Sequence, residues 1–477
     1  MPKLFYKDLW GKRADKYKFL ESNDVSTIHW QELNLTEPYY FFVPKDFTWR
    51  EEYDRFRSVK DVFIQFSSGV KTHRDHFIVG FTKHEVANKM RIFTGTLDDD
   101  MVKDSLKLRD TRDWKFSDAR VKLKTIKWKD FIIPYAYRAF DQRFICYCTD
   151  LIDRGCDRYD LMKNFFGGNI GLATTRRTPE IFGVSAFVNM DVGDIHLIGD
   201  QNYFFPLYLY QKDNSERGLL CHSRENGNPE KTRELDSCLR RNDTILNRTS
   251  NINPEFLKVI KESLGYEPAP EDIFYYIYAV LYSPTYRKKY QEFLKIDFPK
   301  IPLPNQIASQ NVIARDIVPK QSQREILCFS QNDSEKEARK KRTASDLFKN
   351  VSFLGKRLVD LHLLKDTQAK ACGYSELLIQ DSELKIGYPI QGNDKVEKVK
   401  YLNGRIYINK EQYFENIHED VWNYHIGSYQ VLEKFLKDRK GRTLSLDEIQ
   451  RYLKIIFSIS STLGIQKEID KIITRED

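Results

Sequence analysis

Three polar segments, rich in hydrogen-bond donors, are the parts of this 477-residue sequence whose residue types could perform recognition chemistry. They are residues 69–75 (GVKTHRD), 137–143 (YRAFDQR) and 169–177 (NIGLATTRR). Arginine can pair with guanine edges, asparagine can read adenine, and lysine or threonine can hold phosphates. The segments therefore predict a set of residues that contact DNA: Lys71, Thr72, Arg74, Arg138, Arg143, Asn169, Arg176 and Arg177.

Two of these arginines also have a structural interpretation. Arg138 and Arg143 lie on either side of Asp141, and arginine often serves buried ion pairs as well as nucleic-acid contacts. If they pair with Asp141 or with neighbouring acids, they stabilise a sheet and contact no ligand. The sequence leaves both interpretations open.

The sequence contains no recognisable catalytic motif. It has no phosphate-binding loop of the form G-x-x-x-x-G-K-[ST], and no Pro-Pro pair of the kind that holds a flipped adenine for methylation. The glycine cluster at 167–171 is expected to form a tight turn, and Cys146 and Cys148 are expected to be buried free thiols. We therefore expect no catalytic residue, no bound cofactor and no metal site in this chain, and no enzyme activity of its own.

Alternating and aromatic-rich runs predict that strands position these segments in the first half of the chain. The predicted strands are 39–43, 59–66, 132–140, 144–148 and 203–210.

Helical signals dominate after residue 252. Asn253 and Pro254 form a helix start, and Gly265 marks its end. Further helices are predicted within 270–284 and 286–294, and a capping box at Ser445 and Glu448 begins a helix near the C-terminus. Asn403-Gly404 indicates a type I′ hairpin that pairs Tyr401 with Ile406.

Composition limits the class of protein. Hydrophobic residues make up 41% of the chain and aromatic residues 13%, which excludes a wholly disordered protein. No apolar run reaches the ~18 residues of a membrane span, and no signal peptide is evident. Seven cysteines without regular spacing indicate reduced thiols, so we expect a cytoplasmic protein with no membrane partner. The net charge of +8 permits a polyanionic partner.

Several longer strings resemble the C-terminal part of type ISP restriction-modification enzymes, and type IIG enzymes contain related segments. They include GVKTHRD, YRAFDQR, NIGLATTRR, FPLYLY, LGKRLVDLHLL and IFYYIYAVLYSPTYRKKYQEFLKIDFPKIPL. The similarity spans about residues 6–470, except for the polar stretches near 215–250 and 306–346. Ala139 stands where the family usually has proline.

The resemblance implies a specificity region that binds double-stranded DNA and directs adenine N6 methylation and cleavage by catalytic domains absent from this chain. S-adenosylmethionine, ATP and Mg are then expected only in those upstream domains. A separately encoded methyltransferase, helicase or nuclease chain is a further expected partner. The alternatives are a structural subunit that docks such a methyltransferase chain, or the inactive remnant of a gene interrupted by the polar insertion.

We accordingly predict an α+β chain, with a mixed, sheet-rich target recognition domain, a helical region and a smaller α/β C-terminal part. The predicted segments are 1–58, the trailing edge of a methyltransferase-like region; 59–212, the target recognition domain; 213–252, an inserted polar segment; 253–304, the helical part; 305–347, a polar linker; and 348–477, the C-terminal hairpin and helices.

Overall fold

A computed structural model gives the fold of the protein. It describes residues 3–37, 39–178, 183–210, 248–309, 333–365, 370–371, 376–381, 384–389 and 392–474. The chain divides into two compact units, Met1–Glu52 and Tyr53–Asp477. The predicted polar insertion lies outside the described residues, apart from its last five positions.

The first unit is small and has little core. Strand β1 (Leu4–Tyr6) pairs antiparallel with β2 (Gln31–Leu33), and helix α1 (Arg13–Ser22) lies between them in the chain. No residue of α1 is buried. The strand predicted at 39–43 is wrong: its described residues form turns and irregular backbone, and Tyr40 has a positive φ of 47°.

The second unit contains short strands in several sheets. They are β3 (Arg57–Ser58), β4 (Ser67–Ser68), β5 (Val79–Gly80), β6 (Ile132–Arg138), β7 (Asp141–Cys146), β8 (Gly171–Thr175), β9 (Ala186–Asn189), β10 (Val192–Gly193), β11 (Asn202–Pro206), β12 (Tyr208–Tyr210), β13 (Arg248–Ser250), β14 (Lys300–Ile301), β15 (Lys370–Ala371), β16 (Glu376–Asp381), β17 (Leu384–Pro389), β18 (Lys400–Leu402), β19 (Arg405–Tyr407), β20 (Tyr413–Phe414), β21 (His425–Ile426) and β22 (Tyr429–Gln430).

Helices surround these sheets. They are α2 (Arg50–Asp54), α3 (Val59–Val62), α4 (Asp75–Ile78), α5 (Lys83–Thr94), α6 (Asp99–Leu106), α7 (Phe116–Thr125), α8 (Tyr159–Met162), α9 (Pro254–Leu264), α10 (Pro270–Tyr282), α11 (Pro284–Lys289), α12 (Gln291–Leu294), α13 (304–309), α14 (Asp333–His362), α15 (Glu419–Trp422), α16 (Val431–Lys437) and α17 (Leu446–Thr474).

Two four-stranded sheets carry the predicted recognition segments. One has the order β10-β6-β7-β5, with β10 parallel to β6 and the other pairs antiparallel; the second has the antiparallel order β4-β11-β8-β9. The mixed α+β class predicted from the sequence is confirmed.

Three long helices, α10, α14 and α17, pack together beside the second sheet. Gly355 of α14 allows the close approach, because a Cβ atom there would lie 1.9 Å from the carbonyl oxygen of Tyr275. His362 joins all three helices: its Nδ1 pairs with the Tyr278 hydroxyl at 2.7 Å, and its Nε2 with that of Thr462 at 3.0 Å. This buried polar network fixes the register of the helices.

Predictions with strong local signals are confirmed. Asn253 caps α9 and Gly265 ends it in the left-handed conformation. The Ser445–Glu448 capping box forms both of its hydrogen bonds. Tyr401 pairs with Ile406 across the turn, in which Asn403 and Gly404 both have positive φ.

Other predictions fail where tertiary packing decides. Residues 59–66 begin with helix α3 instead of a strand, because Val59, Val62 and Phe63 all reach the core from one short turn while Ile64 is exposed. Helices α5, α6 and α7 occupy a region predicted as sheet, although Thr82 and Glu85 have the spacing of a helix cap. The linker prediction is wrong from Asp333 onward, because α14 buries Ala344, Leu347 and Phe348.

Candidate nucleic-acid interface

The loop 69–75 is held rigidly against the first sheet. Its backbone donates from Val70 N to Gly193 O at 2.8 Å and from Lys71 N to Cys156 O at 3.0 Å. Gly69 is required at the start, because a Cβ atom there would lie 2.6 Å from the backbone nitrogen of Ile195. The loop therefore has a fixed backbone on which exposed side chains can be presented.

Burial alternates along this loop. Lys71 and His73 are exposed, whereas Thr72 and Arg74 retain only 1% and 4% of their accessible surface. The Thr72 hydroxyl donates to the carboxylate of Asp75. Lys71 is thus placed as a DNA contact would be, and Thr72 acts within the loop itself.

Arg74 anchors the loop from inside. Its guanidinium pairs with the carboxylate of Asp153, its Nε donates to Leu151 O at 3.4 Å, and it stacks over the Trp114 ring at 4.2 Å. Burial raises the pKa of Asp153, but hydrogen bonds from Arg74 and His73 outweigh it and lower the pKa below its usual value. The charge of Arg74 is therefore satisfied by the protein.

His73 is a residue of this loop that the predicted set did not include. Its φ of 56° is left-handed, a conformation that costs an ordinary side chain ~1–2 kcal/mol. Its Nδ1 contacts the Asp153 carboxylate, and 38% of its side chain stays accessible. The polar segment 69–75 contains it, but its place between two buried anchors, Thr72 and Arg74, is visible only in the structure.

The hairpin of β6 and β7 supplies the next two predicted residues, both around Tyr137. The Tyr137 ring lies between the guanidinium groups of Arg138 and Arg143, at 3.9 and 3.8 Å, and its hydroxyl donates to Asp75 at 3.0 Å. These contacts join the hairpin to the loop 69–75. The structure therefore brings the first five predicted residues into one cluster.

Both arginines of the hairpin pair with carboxylates that are buried or half-buried. Arg138 donates to Asp194 at 2.9 Å; Arg143 donates to Asp141 at 2.8 Å and to Asp438 at 3.2 Å. The ion pairs that the structural interpretation requires are thus present for both residues. Whether either also contacts DNA stays a prediction.

The remaining three predicted residues lie around β8, and they do not come together. Asn169 is buried before the strand, where its amide donates to Asn164 O at 3.0 Å and Tyr208 O at 2.7 Å. Arg176 and Arg177 follow the other end of the strand and are exposed. Arg176 pairs with Asp297 at 2.8 Å.

The described residues contain no group of three or more side chains suited to hold a metal ion. Cys146 and Cys148 are free and buried, as predicted. No helix in the described part of the chain is long and apolar enough to cross a membrane. Among the predicted residues and His73, the exposed side chains that can carry positive charge are Lys71, His73, Arg176 and Arg177.

The family model of the Type ISP C-terminal specificity domain matches residues 61–310 and 342–468. The chain belongs to this family. The match begins eight residues before the loop 69–75 and includes both four-stranded sheets, α10 and most of α17.

Solved structures share the fold of this specificity domain. The chain is similar to a nuclease-deletion mutant of the Type ISP restriction-modification enzyme LlaGI in complex with a DNA substrate mimic, with 18% identity and a TM-score of 0.61 over 98% of this chain and 39% of that one. The ATP-dependent Type ISP restriction-modification enzyme LlaBIII bound to DNA is 19% identical, with a TM-score of 0.58 over 92% of this chain and 25% of that one. A DrdV–DNA complex is 18% identical, with a TM-score of 0.64 over 100% of this chain and 43% of that one.

The specificity domain thus spans less than half the length of each of these three structures. No curated protein matches its sequence significantly.

Proposed function

We propose that the chain recognises a specific sequence in double-stranded DNA, as the specificity part of a Type ISP-like restriction-modification system. The observation that carries this proposal is the rigid loop 69–75, inside the family match, which presents Lys71 and His73 on buried anchors. LlaGI, LlaBIII and DrdV, which share the fold, were each solved with DNA or a DNA mimic.

The proposed mechanism divides the work between exposed and buried residues. Lys71, Arg176 and Arg177 anchor phosphates, and His73 contacts a base edge or a phosphate beside Lys71. Each of five further residues forms a hydrogen bond or an ion pair inside the protein, and together they position the two sheets: Thr72, Arg74, Arg138, Arg143 and Asn169.

In this proposal the bound site directs adenine N6 methylation and cleavage by catalytic domains outside this chain. S-adenosylmethionine, ATP and Mg would bind to those domains, and this chain would hold no cofactor. Such a division agrees with the family, which is a specificity domain.

Fluorescence anisotropy with a pool of labelled duplexes that contains all short sequences tests the proposal. We expect salt-sensitive binding to the pool and tighter binding to a subset that shares one sequence. Absence of duplex binding at low ionic strength would contradict it. Binding without any sequence preference would reduce the proposal to a general DNA-binding domain.

A second candidate function, the docking of a separate methyltransferase chain, is favoured by the surface of the unit Met1–Glu52. Twelve large apolar side chains are exposed there, against eight in the rest of the described chain. Trp10 and Val25 are 84% and 79% accessible. If these side chains form a continuous patch, they mark an interaction surface.

Co-purification with the product of an adjacent methyltransferase gene tests this second function. We expect a stable complex that the double change Trp10→Ser and Val25→Ser weakens. The control is Val121→Ser, since Val121 is an exposed apolar residue of α7. This change should leave the complex intact.

A further inference from the structure

A cavity of about 1420 Å³ lies within the second unit, between the β6–β7 hairpin, strand β9 and helix α17. Gln142 and Asn189 contribute to its wall from the two sheets, and Arg451 and Lys454 from the helix. The volume is larger than most small-molecule sites require, so the cavity can hold a ligand with a substantial body.

Arg451 differs from the other arginines on this wall. Arg138 pairs with Asp194, Arg442 with Glu85, and Arg439 with both Asp141 and Glu448. Among the described residues, no carboxylate lies within 4.0 Å of the Arg451 guanidinium, whose Nε donates to Phe140 O at 2.9 Å. Its remaining N–H groups have no hydrogen-bond acceptor in the described part of the protein.

The environment of Arg451 is unfavourable for an unpaired charge. Burial lowers the pKa of Arg451, Arg439 adds to this effect, and Asp141 and Asp191 act against it. Arg451 is half-buried, and a cation that is partly removed from water is stabilised by a nearby counter-charge. Among the described residues, Asp141 and Asp191 act on Arg451 only from a distance, without a direct ion pair, so the charge of a ligand could be accommodated beside it.

Lys454 supplies a second positive charge three residues further along α17, on the same side of the helix. It forms no ion pair with any described residue. Asp191 and Asp447 also lie on the wall. Asp191 accepts a hydrogen bond from Gln142 at 2.6 Å. Asp447 lies one helical turn before Arg451 but forms no ion pair with that arginine. An anion is therefore expected at the Arg451 and Lys454 side of the cavity.

We propose that this cavity binds a phosphate-bearing ligand whose phosphate is held by Arg451 and Lys454. Two cations match the double charge of a phosphate monoester better than the single charge of a carboxylate, and a guanidinium fork fits phosphate oxygens. The phosphate belongs either to a free mononucleotide or to the end of a nucleic-acid strand. The site is separate from the loop 69–75 and does not depend on the proposed duplex recognition.

Calorimetric titration of the full chain with AMP and with inorganic phosphate tests the proposal. We expect AMP to bind and Arg451→Gln to weaken its binding about tenfold or more, the effect of losing hydrogen bonds to a charged group. Lys454→Gln should weaken it less, and Arg109→Gln, exposed and outside the cavity, should leave it unchanged. Without ligand, Arg451→Gln should melt no lower than the parent protein, because it removes an unpaired charge.

Failure of AMP and phosphate to bind at millimolar concentration would overturn the proposal, as would unchanged affinity in Arg451→Gln. A lower melting temperature of Arg451→Gln with unchanged AMP affinity would assign Arg451 to support of the hairpin through Phe140 O. If Arg451→Gln does not fold, Lys454→Gln and Arg451→Lys carry the test: a loss of AMP affinity in both supports the proposal, and unchanged affinity in both overturns it.

Single-stranded oligonucleotides with and without a 5′-phosphate distinguish the two sources. Binding that needs the 5′-phosphate, competes with AMP and falls in Arg451→Gln assigns the site to a strand end; binding of AMP alone assigns it to a free nucleotide. Duplex affinity should be unchanged in Arg451→Gln. An equal loss of duplex and AMP binding would overturn the proposal, because the cavity would then be part of the duplex interface.

Discussion

Arg439 donates a hydrogen bond from Nη2 to Oδ1 of Asp141 at 2.8 Å, across 298 positions of the chain. Both side chains are almost fully buried, and Arg143 donates to the other oxygen of the same carboxylate. Since Asp141 opens strand β7 and Arg439 precedes helix α17, this ion pair links the β6–β7 hairpin to the C-terminal helices.

Replacing Asp141 with asparagine should destabilise the protein strongly. The change removes the carboxylate charge that Arg143 and Arg439 share. Their other partners, Asp438 and Glu448, are less buried and replace that charge only in part. Breaking a buried pair in this way costs ~3–5 kcal/mol. Chemical denaturation measures the loss in free energy of unfolding. The control is Asp113→Asn, which removes the exposed pair with Arg112 and should change that free energy by less than ~1 kcal/mol. Equal effects of the two variants would contradict the role of Asp141.

The Asp141 pair also predicts a pH dependence. Burial raises the pKa of Asp141, but the charges and hydrogen bonds of Arg439 and Arg143 outweigh it, and the pKa is lowered from 3.8. The stabilisation is therefore complete above the unfolded-state pKa and is lost as the pH falls through the lower folded value. Denaturation at several pH values between roughly pH 5 and pH 2 should show a steeper loss of unfolding free energy for the parent protein than for Asp141→Asn.

His362 should make the protein sensitive to mild acid. Burial lowers its pKa from 6.5 to about 3, so the folded protein keeps it neutral while the unfolded chain takes up a proton. Stability is complete above pH ~6.5 and falls by up to ~1.4 kcal/mol per pH unit between there and the folded pKa.

His362→Gln, which cannot titrate, should show a flatter stability profile over that range, even though it lowers stability at neutral pH. Denaturation at several pH values separates the two effects. Parallel profiles for the parent and His362→Gln would show that the histidine does not control acid sensitivity.

Lys71 and Arg177 should contribute to duplex binding without contributing to stability. Each change to glutamine should reduce the slope of log affinity against log salt by ~0.9 if one phosphate contact is lost. The free energy of unfolding should stay within ~0.5 kcal/mol of the parent value. Arg109→Gln is the control for a loss of positive charge elsewhere.

Arg74→Gln should behave in the opposite way. It leaves the Asp153 carboxylate without its buried partner, so we expect a loss of several kcal/mol in unfolding free energy. A stable Arg74→Gln variant with selectively weakened duplex binding would show instead that Arg74 contacts DNA, as the sequence predicted.

Gly69→Ala should displace the loop 69–75. The added Cβ would meet backbone atoms of Ile195 at 2.6–2.7 Å, so the loop must shift, at a cost of ~1–3 kcal/mol. Both the melting temperature and duplex affinity should fall. Gly464→Ala in α17 is the matched control: its Cβ meets nothing within 4 Å, and the change should stabilise the helix by ~0.5–1 kcal/mol.

The sequence by itself determined those elements whose signals are local. The cap at Asn253, the stop at Gly265, the Asn403-Gly404 turn and the Ser445–Glu448 box each depend on backbone groups within a few residues. It also determined the family resemblance, because long strings of residues carry it.

The tertiary structure alone showed which of the predicted cations form ion pairs inside the protein. Arg74, Arg138 and Arg143 have the residue type of a DNA contact, but Asp153, Asp194 and Asp438 occupy them. These three carboxylates lie 56 to 295 positions from their arginines, so no local spacing could reveal the three pairs. The pair of Arg143 with Asp141, two positions away, is the one that the sequence could suggest. Burial makes each pair specific, because a buried charge must find a partner wherever the fold places one.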